Sequence, residues 1–295
     1  MKRIFLIFLF ILCSIICCGQ TFPVNYRDHN EINTCKNLLE KYTLDELSAM
    51  ISSGNFDDIY VGDYIEMEMT TANITSSNTS RTEKVRWLVA AIDYFRHRTD
   101  VDLLDHHIVL VAEDCFVDTQ KMNSSNTTAG GYASSSMYIT VLPKYDTAIT
   151  NAFGSSHVLS YHQLLTTSTN TTAPSMAGNN FTGCSNNWAW ATGATNMPHV
   201  TKLNLMSEPQ IFGTKICLSS FYDIGINNSQ FPLFSQMPEK IICGRGFNAV
   251  SSARHTFWLS SVVSTTYFAL CGNIGYATGN GASYILGVRP YFLFK

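Results

Sequence analysis

Charge is what this chain has least of. Asp, Glu, Lys and Arg make up 14% of its 295 residues, against about 25% in ordinary soluble domains. The net charge is −3 and no basic run occurs, so the electrostatic footprint of a nucleic-acid binder is missing and no nucleic-acid partner is expected. Residues 147–201 contain no charged side chain of these four types, which argues against an acid–base active site built on that stretch. Low charge with abundant Asn, Ser, Thr and Gly fits a β-rich extracellular or virion protein better than a cytosolic enzyme.

Several segments resemble catalytic or metal motifs until their missing parts are counted. Gly154-Ser-Ser-His157 has no Gly-x-Ser-x-Gly elbow and no acid near it in sequence, so His157 reads as a structural residue. Gly130-Gly131 permits a tight turn, but the Lys-Ser/Thr of a phosphate loop does not follow it. His97, Asp100, Asp102, Asp105, His106 and His107 suggest a metal, yet adjacent histidines on a strand point to opposite faces. The aspartates lack the glycine and terminal glutamate of a calcium loop. The reading is therefore no catalytic residue, no metal and no cofactor.

No apolar run is long enough for a membrane span of about 20 residues. The longest, residues 4–18, follows Lys2-Arg3 and reads as a signal peptide with cleavage near Gly19. Acylation at Cys17 or Cys18 is the competing reading, although Ile15-Ile16 suits a lipobox poorly. Beyond this leader stand Cys35, Cys115, Cys184, Cys217, Cys243 and Cys271. No two form a C-x-x-C pair or another metal-like spacing. They are read as mostly unpaired, buried thiols.

What is present is strand-like, after one helix. Leu44, Leu47, Met50 and Ile51 are spaced for an amphipathic helix, with Thr43 and Glu46 placed as a capping box and Gly54 as the stop. Ile65, Met67 and Met69 alternate with Glu66 and Glu68 as a half-buried strand. Residues 85–95, 108–112 and 200–206 read as further strands. Asn123, Asn126 and Thr127 supply local side-chain bonds to a loop. Trp188 and Trp190, two apart on a strand, face the same way, as a pair that either plugs a core or makes a sugar-stacking platform.

The most distinctive stretch runs from Trp258-Leu-Ser-Ser to Gly287-Val-Arg-Pro-Tyr-Phe-Leu-Phe-Lys295. Between His255 and Val288 there is no Asp, Glu, Lys or Arg. Residues 265–269 and 284–288 read as strands, with Gly272, Gly275, Gly279 and Gly281 breaking the middle into turns. Tyr267, Asn273, Tyr276, Asn280 and Tyr284 are the candidate ligand contacts, the Tyr and Asn combination of many recognition loops. Arg289 is expected to hold the fold through backbone carbonyls.

These residues carry a resemblance. The pairing of Trp-Leu-Ser-Ser with Gly-Val-Arg-Pro-aromatic-Phe resembles C-type-lectin-like domains of phage and prophage surface proteins. That group includes tail and receptor-binding proteins and the variable proteins of diversity-generating retroelements. Asp58-Ile-Tyr-Val-Gly-Asp-Tyr64, His106-His-Ile-Val-Leu-Val111, residues 122–137, Phe181-Thr-Gly-Cys-Ser-Asn-Asn-Trp-Ala-Trp190 and the Leu205-Met-Ser-Glu region are similar to the same group, so the resemblance spans residues 56–295.

The resemblance implies an α+β, β-rich fold with a C-type-lectin-like, formylglycine-generating-enzyme-related domain at the C-terminus and a β-rich part before it. The chain divides into a leader at 1–19, a helical linker at 20–54 and a body at 55–295, with the display region at 255–295. The implied function is non-enzymatic binding of a bacterial surface glycan or protein receptor. The setting is a virion tail or an exported cell surface, in a homo-oligomer such as a trimer, with other virion proteins as further partners. An oxidase related to the formylglycine-generating enzymes and a purely structural virion protein are the alternatives.

Overall fold

The computed structural model describes residues 35–71, 80–98, 101–163, 165, 175–177, 180–182, 200–217, 229–244 and 254–295. The leader, Cys184, Trp188 and Trp190 lie outside them. The strands are β1 (Tyr64–Thr71), β2 (Arg81–Ile92), β3 (Val101–Asp102), β4 (Ile108–Ala112), β5 (Tyr161–Gln163), β6 (Ser175–Ala177), β7 (Asn180–Thr182), β8 (Val200–Thr201), β9 (Leu203–Leu205), β10 (Phe257–Val262), β11 (Tyr267–Cys271), β12 (Ala277–Gly281) and β13 (Pro290–Phe294). The α-helices are α1 (Leu44–Ser52), α2 (Leu142–Phe153), α3 (Glu208–Phe212) and α4 (Pro232–Gln236). This is a mixed, sheet-rich α+β fold. Among the described residues no helix is long and apolar enough to cross a membrane.

The main sheet has the order β1-β2-β4-β13-β9, every pair antiparallel. Strands β4 and β13 are buried on both faces, which is why they are apolar at nearly every position. Ile108, Leu110 and Ala112 join one core with Phe292 and Phe294, while Val109 and Val111 join a second with Tyr291 and Leu293. In β2 the side chains of Val85, Trp87 and Val89 face the first core, and then a register shift lies between Val89 and Ala91. That bulge returns Ile92 to the first core, where strict alternation would send it to the second.

Helices close the two faces. Buried Leu47 and Ile51 of α1 join the first core, as do Leu142, Tyr145, Ala148, Ile149 and Phe153 along one side of α2. The α1 capping box forms as expected: Thr43 Oγ1 accepts from the Glu46 N–H at 3.2 Å, and Glu46 Oε2 accepts from the Thr43 N–H at 2.8 Å. Helix α2 was not foreseen, because its β-branched Thr147, Ile149 and Thr150 obscure a sound helical spacing of apolar residues. Leu233 and Phe234 of α4 cover the second face.

Strand boundaries differ from the sequence reading in five places, the first being the strand expected at 265–269, which is β11 and runs two residues later, from Tyr267 to Cys271. The strand expected at 85–95 is β2, which ends at Ile92 as Asp93 turns to φ 50°. The strand expected at 200–206 is two short pieces, β8 and β9. Residues 284–288 form no strand: Tyr284 closes a turn on Gly281, and only the single bridges Gln120–Leu286 and Phe257–Gly287 follow. The closing strand is β13 instead. Gly279 and Gly281 do not break the chain but lie within β12, in register with Ala269 and Tyr267.

Candidate functional site

The terminal sheet β10-β11-β12 carries the residues chosen from the sequence. It is anchored by the two ends of the motif that suggested it. The Trp258 N–H donates to the Gly287 carbonyl at 3.1 Å, and the Trp258 indole donates to the Gln120 carbonyl at 2.9 Å. Fully buried Arg289 donates through Nε to the Ala112 carbonyl at 2.9 Å and through Nη1 to the Ile241 carbonyl at 3.2 Å. Its guanidinium lies 5.2 Å from the Phe257 ring centre and 5.6 Å from that of Phe234. Arg289 therefore joins strand to strand, as its apolar surroundings suggested.

The display residues separate into two groups. At one end of the hairpin, Tyr267 is paired with Gly281, and the turn after Gly281 brings out Tyr284 and Ile285. These three are 46%, 55% and 58% exposed. At the other end, the turn after β11 exposes Asn273, Ile274 and Tyr276. The length of β11 keeps the ends about 13 Å apart, at about 3.3 Å per residue. Asn280 is opposite Phe268, so it takes the reverse face of the sheet from Tyr267. It is half-buried and its Oδ1 accepts from the Gly281 N–H at 2.8 Å. None of the three tyrosines is a core residue.

Neighbouring loops hold these turns. Asn126 Oδ1 accepts from the Ser283 N–H at 3.0 Å and from its hydroxyl at 2.7 Å. Its bonds thus reach across the molecule, whereas Asn123 bonds locally, through Nδ2 to the Thr127 carbonyl at 2.7 Å. The Tyr276 ring packs over Gly272, where a Cβ would make it swing away.

Three features were not legible in the sequence. One is a cleft of about 570 Å³ lined by Tyr138, Ile139, Leu142, Asp146, Val200 and Lys202. Burial raises the Asp146 carboxyl above the ordinary range, with Lys202 opposing. Ile139 and Val200 are 59% and 62% exposed at its rim.

The second is the pairing of histidines with acids. His157 Nε2 lies 3.0 Å from Asp45 Oδ1, and His157 Nδ1 lies 2.6 Å from the Phe153 carbonyl. That acid is 112 residues away, which no local pattern reveals. His106 Nδ1 contacts Asp93 Oδ2 at 2.6 Å, while buried His107 accepts at Nε2 from the Phe95 N–H. The His107 ring also comes within 4.0 Å of Asp93, so one carboxylate serves both histidines.

The third is a buried cluster of Asp114, Cys115 and Cys243. Cys243 Sγ lies 2.6 Å from Cys115 Sγ and 2.6 Å from Asp114 Oδ1. The Cys115 N–H donates to Cys243 Sγ at 2.7 Å, and the Gly244 N–H donates to Asp114 Oδ1 at 2.7 Å. Burial holds the Cys115 thiol well above its ordinary range and pushes Cys271 up to about 12. The five described cysteines are all free thiols.

No family model, curated protein or solved structure matches this chain.

Proposed function

We propose that this chain is a non-enzymatic surface or virion protein with a C-type-lectin-like C-terminal region that binds a bacterial cell-surface ligand. One observation carries the reading. Tyr267 and Tyr284, with Ile285, stand half-exposed at one end of a sheet whose other side chains are mostly buried, on a stretch without ionised groups. Tyrosine contributes large contact area at low entropic cost and keeps a hydroxyl for hydrogen bonding. An uncharged aromatic stretch of this kind suits a neutral glycan or the polar rim of a protein receptor. Cys115, Cys243 and Cys271 are buried, so among the described residues of this region no thiol is exposed, and the oxidase reading comes second. Display at a virion tail or an exported cell surface, as a homo-oligomer, completes the proposal.

The test compares Tyr267→Ala/Tyr284→Ala with Tyr276→Ala, by adsorption to candidate bacterial cells and by glycan array, with thermal melting alongside. Loss of binding in the double variant at unchanged melting temperature supports the reading. Full binding in both variants moves the site off this sheet and overturns it.

A further inference from the structure

The Asp114, Cys115 and Cys243 cluster belongs neither to the display surface nor to any motif in the sequence. Cys115 follows β4, the central strand of the main sheet, while Cys243 comes 128 positions later and bridges to His255 ahead of the terminal sheet. Both side chains are buried, at 6% and 0% exposure. Gly287 makes the room: a Cβ there would stand 2.6 Å from Cys115 Sγ. The sulfurs face each other at 2.6 Å, well inside the contact distance of unbonded sulfur atoms.

Two occupancies of this cluster can be separated by size. Thiolates sharing one tetrahedral zinc stand about 3.8 Å apart, from bonds of about 2.3 Å. Here all three donor contacts around Cys243 Sγ are 2.6–2.7 Å, among them the carboxylate of Asp114. A zinc there would have to push the two sulfurs about 1.2 Å further apart. A sulfur–sulfur bond of about 2.05 Å needs only a small further movement of two side chains.

We propose that Cys115 and Cys243 form a disulfide that ties the main sheet to the segment leading into the terminal sheet. The oxidant is a low-molecular-weight disulfide, met while the chain folds and before the site closes. Asp114 takes the proton of the Cys243 thiol, and the thiolate attacks one sulfur of that disulfide, releasing one small thiolate. Cys115, deprotonated by that thiolate, attacks the Cys243 sulfur and displaces the second small thiolate, which takes the proton held by Asp114. Two electrons pass from the cysteine pair to the small disulfide, and two small thiols leave. The other described cysteines, Cys35, Cys217 and Cys271, stay reduced. The assignment is independent of what the tyrosine surface binds.

The experiment uses the full chain, produced in an oxidising compartment, quenched in acid, denatured and alkylated without reductant. Mass spectrometry of an unreduced digest should find the Cys115 peptide joined to the Cys243 peptide, and Cys35, Cys217 and Cys271 alkylated. Reduction should lower the melting temperature by on the order of 10 °C, because the link closes a long loop in the unfolded chain. Cys243→Ser should melt like the reduced wild type, while Cys271→Ser should keep the link. Alkylation of both Cys115 and Cys243 in the unreduced wild type overturns the proposal, as does a link to a different partner. One equivalent of bound metal removed by chelation, with both thiols free, overturns it in favour of a metal site.

Discussion

Strands β4 and β13 of the main sheet and the whole terminal sheet both lack charge, for opposite reasons. In β4 and β13 every side chain is buried, because a core lies on each face. In the β11–β12 hairpin, β11 is buried after Tyr267 but β12 is only half-buried, and Tyr267, Asn273, Tyr276 and Tyr284 emerge at the ends. The first absence is the ordinary exclusion of ions from a core, where an unpaired charge is costly. The second leaves uncharged side chains of this stretch exposed, which packing alone does not require. A run without Asp, Glu, Lys or Arg therefore says nothing about function until exposure is known.

The sharpest way to break this comparison is in the main sheet. Phe292 is buried in β13 and meets Trp87 edge-on at 4.9 Å between ring centres. Phe292→Ala should destabilise by about 3–5 kcal/mol, measured by chemical denaturation. A loss under 1 kcal/mol would show that the two-faced core is not what holds this sheet.

Acid should act on the same region. His107 precedes β4 and is fully buried, and burial holds its imidazole down to about 4 from an ordinary 6.5. Between those values the unfolded chain binds a proton that the folded chain refuses. Stability is therefore full above about pH 6.5 and falls as pH drops towards 4, by up to roughly 3 kcal/mol. Denaturation at pH 7 and pH 5 should show the slope, and His107→Gln should flatten it. An equal slope in that variant would assign the acid sensitivity elsewhere.

Arg289 lies between the two regions. Arg289→Ala removes donors to the Ala112 and Ile241 carbonyls and should cost about 1–3 kcal/mol. Binding should fall only as far as the fold does. An unchanged melting temperature with lost binding would make it a ligand contact.

The smallest expected stability effect is at the display end. Tyr267→Ala/Tyr284→Ala should change stability within about 0.5 kcal/mol, while cell adsorption is lost because aromatic anchors dominate binding energy. A large drop in melting temperature would erase the distinction between the two sheets.

Legibility followed the range of the interactions. The Thr43 and Glu46 capping box could be read because its partners are three residues apart. Strand β4 was read with its correct ends, since five apolar residues in a row have few alternatives. Strand β12 was hidden because its glycines resemble turn residues, although ladder pairing with β11 holds them extended. The shift from 284–288 to β13 has a similar cause: Tyr284 and Ile285 have strand-like side chains but no partner strand. The tyrosines themselves were legible as a set, but not their division between two ends of a hairpin. The Cys115 and Cys243 encounter could not be read at all, since spacing carries no signal across 128 residues.

The place of β13 has a consequence in time. It inserts between β4 and β9, and Arg289 at its start reaches back 177 positions to Ala112. Of the strands described, the last to be synthesised lies second from the edge, so β4 is an open edge until then. Sheets closed by such distant pairings assemble slowly, and an unpaired apolar edge invites pairing with other chains. The yield of this protein should therefore depend on what shelters β4 during synthesis, and a chaperone that caps exposed strands should raise it.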